Sequence, residues 1–211
     1  MAHVSTCDDL ALHGVRVLGF ATSSRVAARY WLDVDAVEEA LLDFEAVGSA
    51  RRSSFGGASG WSLTDAGRVE NERRLAAELD LTGVRDAVTR VHAAFLPLNR
   101  RFCDACTDWQ VRPAVFDPMA VNDHADPRWD DRVLETLASL GRSFGRLCDQ
   151  LAADLTRFDR YAELYSTALA AVESGRHAWV DAPDRDCLHL VWIQFHEDLL
   201  ATLGIPRDSE V

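Results

Sequence analysis

Residues 21–64, ATSSRVAARYWLDVDAVEEALLDFEAVGSARRSSFGGASGWSLT, decide the fold. Thr22-Ser23-Ser24 opens a short helix, Ser24 to Tyr30, and Trp31-Leu32-Asp33 makes a tight break after it. A second helix follows over Asp35 to Val47, with Val37, Leu41, Leu42 and Phe44 as its apolar residues and Gly48 as its stop. Ser49 to Ser54 reads as a strand, and Phe55 to Gly60 as a glycine-rich turn. Trp61 to Thr64 is the returning strand, because Trp61 and Leu63 alternate with Ser62 and Thr64.

Helix, turn, helix and hairpin in that order is the winged helix-turn-helix pattern. Cys7 to Phe20 supplies a preceding helix, with Asp8 and Asp9 near its start, where the helix dipole favours negative charge. Thr64 and Asp65 can cap a linking helix over Val69 to Leu79. Beyond Leu81-Thr82-Gly83, apolar residues recur at helical spacing over Val84 to Gln110, Arg128 to Leu155, Phe158 to Trp179 and Asp186 to Leu203. Pro97 predicts a kink or restart in the first of these, and Arg112 to Asp126 is a polar connection. Long helices with short connections read as a bundle. The expected fold is mainly α: an N-terminal winged helix-turn-helix with a small β-hairpin wing in residues 1–80, and a C-terminal all-α helical bundle in residues 81–211.

The 211 residues, 48% of them hydrophobic, can bury a core that needs neither disulfides nor a structural metal. A net charge of −12 argues against a general nucleic-acid coat protein. All 22 basic residues are Arg, which excludes Schiff-base lysines, P-loop lysines and lysine general bases. Cys7, Cys103, Cys106, Cys148 and Cys187 are odd in number and scattered, unlike a disulfide framework. Neither a signal peptide nor a membrane-spanning apolar run is visible, so a cytoplasmic protein is expected.

The second motif helix raises the question of DNA. With its leading turn it carries Asp33, Asp35, Glu38, Glu39, Asp43 and Glu45 and no Arg, and carboxylates facing phosphates are repelled. Contact with duplex DNA would fall to Arg25 and Arg29 on the preceding helix and to Arg51 and Arg52 at the wing, with Arg68, Arg73 and Arg74 beyond. The plainer reading of these arginines is a solubilising surface.

Other motifs carry less. Cys103-Asp104-Ala105-Cys106 is a CxxC without a second Cys or His pair at metal spacing, so two small core thiols is the simpler account. The last helix places His189, Trp192 and His196 on one face, next to Glu197. Two readings stand: histidines hydrogen-bonded inside a bundle, or a ligand pocket completed by Asp108, Trp109 and Arg112 with the loop Asn122-Asp123-His124. Spacing alone does not bring His92, His124, His189 and His196 together, so no metal and no cofactor is assigned. No nucleophile elbow, zincin helix, Rossmann fingerprint or P-loop is present, and neither an enzyme nor a catalytic residue is expected. Asp130-Asp131 and Glu197-Asp198 look like solvated faces or caps.

Trp61 to Arg68, WSLTDAGR, resembles the LTxxGR ending that follows the wing in MarR-like bacterial regulators. Cys106 to Gln110, Asn122-Asp123-His124, and Leu188 to Leu200 with its His196-Glu197-Asp198 are similar to a group of actinobacterial proteins described as transcriptional regulators. The resemblance implies a winged-helix DNA-binding regulator with a C-terminal helical domain. Such a protein would act as a homodimer on double-stranded DNA, with a small-molecule effector in the bundle. The acidic motif helix departs from the MarR-like pattern. It leaves two alternatives: a protein-interaction winged helix docking a basic partner, or a ligand- or metal-binding protein with no DNA role.

Overall fold

A computed structural model describes residues 1–55 and 57–207 and is mainly helical, with one two-stranded antiparallel sheet. The order is α1 (Cys7–Leu18), α2 (Ser23–Tyr30), α3 (Val34–Ala46), β1 (Ala50–Phe55), β2 (Ala58–Leu63) and α4 (Asp65–Thr82). It continues with α5 (Arg85–Gln110), α6 (Pro127–Ala152), α7 (Arg160–Glu173) and α8 (Leu188–Leu203), and short 3-10 turns at Thr156–Phe158 and His177–Trp179.

Local chemistry sets the first boundaries. Thr6, Thr22, Asp33 and Thr64 each cap a helix, α1 to α4 in turn, by accepting a backbone N–H with the side-chain oxygen. Trp31 ends α2 in the left-handed region, at φ 54, which is uncommon for a bulky residue. Arg160 holds it there, its guanidinium 4.5 Å over the Trp31 ring and donating to the carbonyl of Ala28.

The hairpin is longer than its sequence pattern implies. Pairing runs from Ala50↔Leu63 to Phe55↔Ala58, so Ser59 and Gly60 belong to β2 rather than to the turn. Gly56 lies outside the described residues. Gly60 serves a close approach: a Cβ there would meet the Phe20 ring at 2.8 Å, next to the two backbone bonds that join Ala21 to Trp61. Gly67 is tighter still, since a Cβ would sit 1.8 Å from the carbonyl oxygen of Ser49. Leu12 and Val15 of α1, Val26 of α2, Val37 and Leu41 of α3, and Trp61 of β2 form one buried cluster. Leu42, expected with them, is 45% exposed.

Farther on, α5 passes Pro97 without a break. The backbone bond lost there is outweighed by the packing of Phe95 and Phe102 on either side, both buried against Trp192. The helix expected over Phe158 to Trp179 instead divides: α7 ends at Glu173, and Gly175, at φ 86, turns the chain out of it. The chain forms two compact units that are discontinuous in sequence, unlike a simple division at residue 80. One holds Met1–Thr89, Leu151–Arg160 and Gln194–Val211; the other holds Arg90–Gln150 and Tyr161–Ile193. Among the described residues, no helix is long and apolar enough to cross a membrane.

Candidate functional site

In the first unit the carboxylates of α3 reach the hairpin. Glu38 accepts from Ser23 Oγ, from Arg52 Nη2 and, at 3.4 Å, from Trp61 Nε1, which also donates to Ser23 Oγ at 2.9 Å. Glu45 accepts the backbone N–H of Arg52 at 3.0 Å. The Arg52 guanidinium lies 4.5 Å over the Trp61 ring. These bonds tie α2, α3 and the hairpin together. Facing outward on α3 are Asp35, Glu39, Leu42 and Asp43, three and four residues apart, with Val34 and Val47 exposed at its ends.

The four arginines expected to touch DNA are not equivalent. Arg29 is 5% exposed, so burial removes it from the surface expected of it. Its neighbour Tyr30 has its phenol pushed well above the usual range by burial and by the Asp198 charge, against the pull of Arg29 and Arg157. Arg52 is held by Glu38. Arg25 is half-buried, and Arg51 is exposed with its Nε donating to Ser62 Oγ at 3.3 Å. Farther along, Arg73 and Arg74 are paired with Glu70, and Arg74 also with Asp9.

In the second unit, Trp109, Asn122 and His124 come together. Buried Asn122 donates from Nδ2 to the Trp109 carbonyl at 3.0 Å and to Asp130 Oδ1 at 2.9 Å, and its Oδ1 accepts the His124 N–H at 3.2 Å. His124, at φ 57, turns Nδ1 to Asp130 Oδ2 at 3.0 Å, which fixes the imidazole. Its ring lies 4.4 Å from Trp109 and 5.5 Å from His177. This arrangement offers a carboxylate-oriented imidazole and a second imidazole, both packed on the buried Trp109 indole. Arg112 pairs with Asp126 at 2.7 Å, Asp123 Oδ1 accepts the Ala125 N–H, and the Asp108 carbonyl accepts Trp129 Nε1 at 2.7 Å. A groove of about 480 Å³ beside them, between α5 and α6, is lined by buried Ala105 and Val133 and by Trp129. Arg101 and Arg132, with Asp104 and Asp108, supply its charge.

The remaining expected ligand residues lie elsewhere. Trp192 is a core residue, stacked on Phe102 at 4.2 Å with Nε1 donating to Asn99 Oδ1, and His189 lies 6.3 Å from the same Phe102 ring. His196 and Glu197 belong to the first unit, where Glu197 pairs with Arg16 at 3.0 Å and Arg207 at 3.3 Å. Among the described residues, no three His, Cys, Asp or Glu side chains are placed to hold a metal. Cys103 and Cys106 are free thiols, and burial, with the nearby Cys103, pushes the Cys106 thiol up to about 12.

No protein-family model, curated protein or solved structure matches the chain. The geometry therefore carries the reading, and it includes groups that sequence reasoning passed over. Asp130 and Asp198, read as solvated or capping, are both buried. Asp198 lies at the centre of an ionic network in the first unit. His13 Nε2 is 3.0 Å from it, Arg157 Nε is 3.4 Å away, and Thr202 Oγ1 donates to it at 3.2 Å. Arg157 also pairs with Glu78 and donates to Thr202 Oγ1 at 2.8 Å, while His13 Nδ1 faces Asn71 Oδ1 at 3.4 Å. This network joins α1, α4, the Thr156–Phe158 turn and the end of α8, which makes it architectural.

Proposed function

We propose that α1–α3 with the β1–β2 hairpin is a winged helix-turn-helix module of a regulatory protein, and that it docks on a basic protein partner through the outer face of α3. One observation carries this: α3 points Asp35, Glu39 and Asp43 outward around Leu42, while Arg29 is buried and Arg52 is held by Glu38. A helix laid in the major groove meets phosphates, where carboxylates are repelled. A partner surface bearing Lys or Arg around an apolar contact complements the same face. The WSLTDAGR phrase and its resemblance to bacterial regulators support the regulatory class.

Duplex DNA is the second reading, favoured by the exposure of Arg51 on β1. Fluorescence anisotropy at low salt separates the two. The docking reading expects no saturable binding of a mixed-sequence duplex. It expects binding of an Arg-rich amphipathic peptide that weakens with salt and is lost in the variant Asp35→Lys, Glu39→Lys, Asp43→Lys. Salt-dependent duplex binding by the parent, abolished by Arg25→Ala with Arg51→Ala, would sink it in favour of DNA.

A further inference from the structure

Two exposed apolar side chains lie at the amino end of α3: Trp31 is 64% exposed and Val34 44%. Trp31 is also the left-handed residue that closes α2, at φ 54. Its N–H returns to the Ala27 carbonyl, as does that of Leu32 at 3.0 Å. Helix closures of this kind ordinarily place glycine at the left-handed position, because a Cβ there costs stability. The turn of a helix-turn-helix often carries glycine for the same reason. Here the position holds a tryptophan, and most of that side chain is left in water, so the core gains little from it. A strained position kept by a residue the fold does not need points to a use outside the fold.

We propose that Trp31 is the apolar anchor of the α3 docking surface and that the partner is a basic amphipathic helix, its apolar stripe laid along Trp31, Val34 and Leu42 and its cations on Asp35, Glu39 and Asp43. This rests on the reading of α3 as a protein-docking face. Val34 and Leu42 are exposed two turns apart on one side of α3, and Trp31 stands just beyond the Asp33 cap at the same end as Val34. Val34 to Leu42 spans about 12 Å, the reach of apolar residues at i, i+4 and i+7 of a partner helix. Arg160 readies the ring. Its guanidinium lies 4.5 Å over the indole and is itself tethered by donating to the Ala28 carbonyl, so the side chain is held before a partner arrives. A pre-set tryptophan loses little entropy on binding, which is the quality of a hot-spot residue. Charge selects the partner: three outward carboxylates beside an apolar line repel an anionic lipid surface and pair with Arg or Lys.

Fluorescence anisotropy tests it with a labelled helical peptide bearing Leu at i, i+4 and i+7 and Arg on the remaining face, read over a salt series alongside thermal unfolding. Trp31→Gly should unfold at or above the parent's midpoint and bind about tenfold more weakly. Its affinity should fall with salt as steeply as the parent's, since an apolar contact is not screened, whereas Asp35→Lys, Glu39→Lys, Asp43→Lys abolishes binding. Replacing the peptide's Leu by Ala should weaken binding to the parent and leave binding to Trp31→Gly nearly unchanged, because the two groups touch. Trp31→Gly that binds as tightly as the parent, while the charge variant does not bind, overturns the anchor and leaves the docking reading standing. No saturable binding by the parent overturns both. Trp31→Asn is the second variant, since Asn also accepts the left-handed region. A midpoint lowered by more than about 5 °C in both variants makes Trp31 a structural residue and overturns the proposal.

Discussion

Replacing Arg157 with Met is the most direct test of the ionic network. The side chain of Arg157 is 1% exposed, that of Asp198 0% and that of Glu78 10%. The nearby Asp198 and Glu78 charges raise the Arg157 pKa despite its burial, so the guanidinium is charged at any ordinary pH. Met fills much of the same volume but takes the cation away from the buried Asp198 and the partly buried Glu78. Breaking a buried pair in this way costs about 3–5 kcal/mol, because one partner's charge is left behind. At about 2–4 °C per kcal/mol for a chain of this size, the midpoint should fall by roughly 6–20 °C. Thermal and urea unfolding measure it, and hydrogen exchange locates it: protection should fall in α1, α4 and the last turns of α8. Adding Asp198→Asn should recover part of the loss, since the neutral amide no longer needs a cation. If Arg157→Met unfolds within about 1 kcal/mol of the parent, the network is not a buried ion pair in the energetic sense and the reasoning fails.

Asn122→Ala should destabilise by about 1–3 kcal/mol, because a buried side chain that serves the Trp109 carbonyl, Asp130 and the His124 N–H is removed. Amide exchange in residues 112–126 should rise, and unchanged exchange there would show that the loop is held by its backbone bonds alone. Hydrogen bonding to Arg73 and Arg74 holds the Glu70 carboxyl at about 2, against an ordinary 4.5. A depressed carboxyl pKa gives stability that is full above about 4.5 and is lost as the pH falls toward about 2. Glu70 is partly exposed, so solvent screens the effect to about 1 kcal/mol or less. The stability gap between the parent and Glu70→Gln should close over that range in urea titrations; a gap that widens on acidification contradicts the assignment.

The first helices were legible because their signals are local. Thr6, Thr22, Asp33 and Thr64 sit at the boundaries they cap, and the apolar periodicity of α1 to α3 matches the buried cluster. The hairpin length was not, since Ser59 and Gly60 look like turn residues until the approach of Phe20 explains the glycine. Buried charge was the hardest to read. Glu197 and Asp198 are adjacent in sequence, yet helical rotation gives one to Arg16 and the other to the interior with His13 and Arg157. Nothing in a single sequence pairs a residue of a short 3-10 turn with carboxylates on two distant helices. Asn122 and His124 lie two residues apart, so one short phrase carries both, while His177 belongs to a turn far along the chain.

Charge counting along α3 treats six carboxylates as one quantity, and the geometry divides them. Asp33 caps the helix, Glu38 and Glu45 hold the hairpin, and Asp35, Glu39 and Asp43 face outward. The cations divide as well, since Arg29 is buried and Arg52 is spent on Glu38. The balance of charge therefore changes little, but its location sharpens. Acid occupies the outer face of the helix that a winged motif would insert, and Arg25 and Arg51 lie on the elements to either side. A duplex bound by those arginines would have to pass across three carboxylates at close range, where repulsion is strongest. A basic protein surface meets the same carboxylates as partners and can bury Leu42 between them, so one arrangement of residues disfavours the first ligand by the same physics that favours the second.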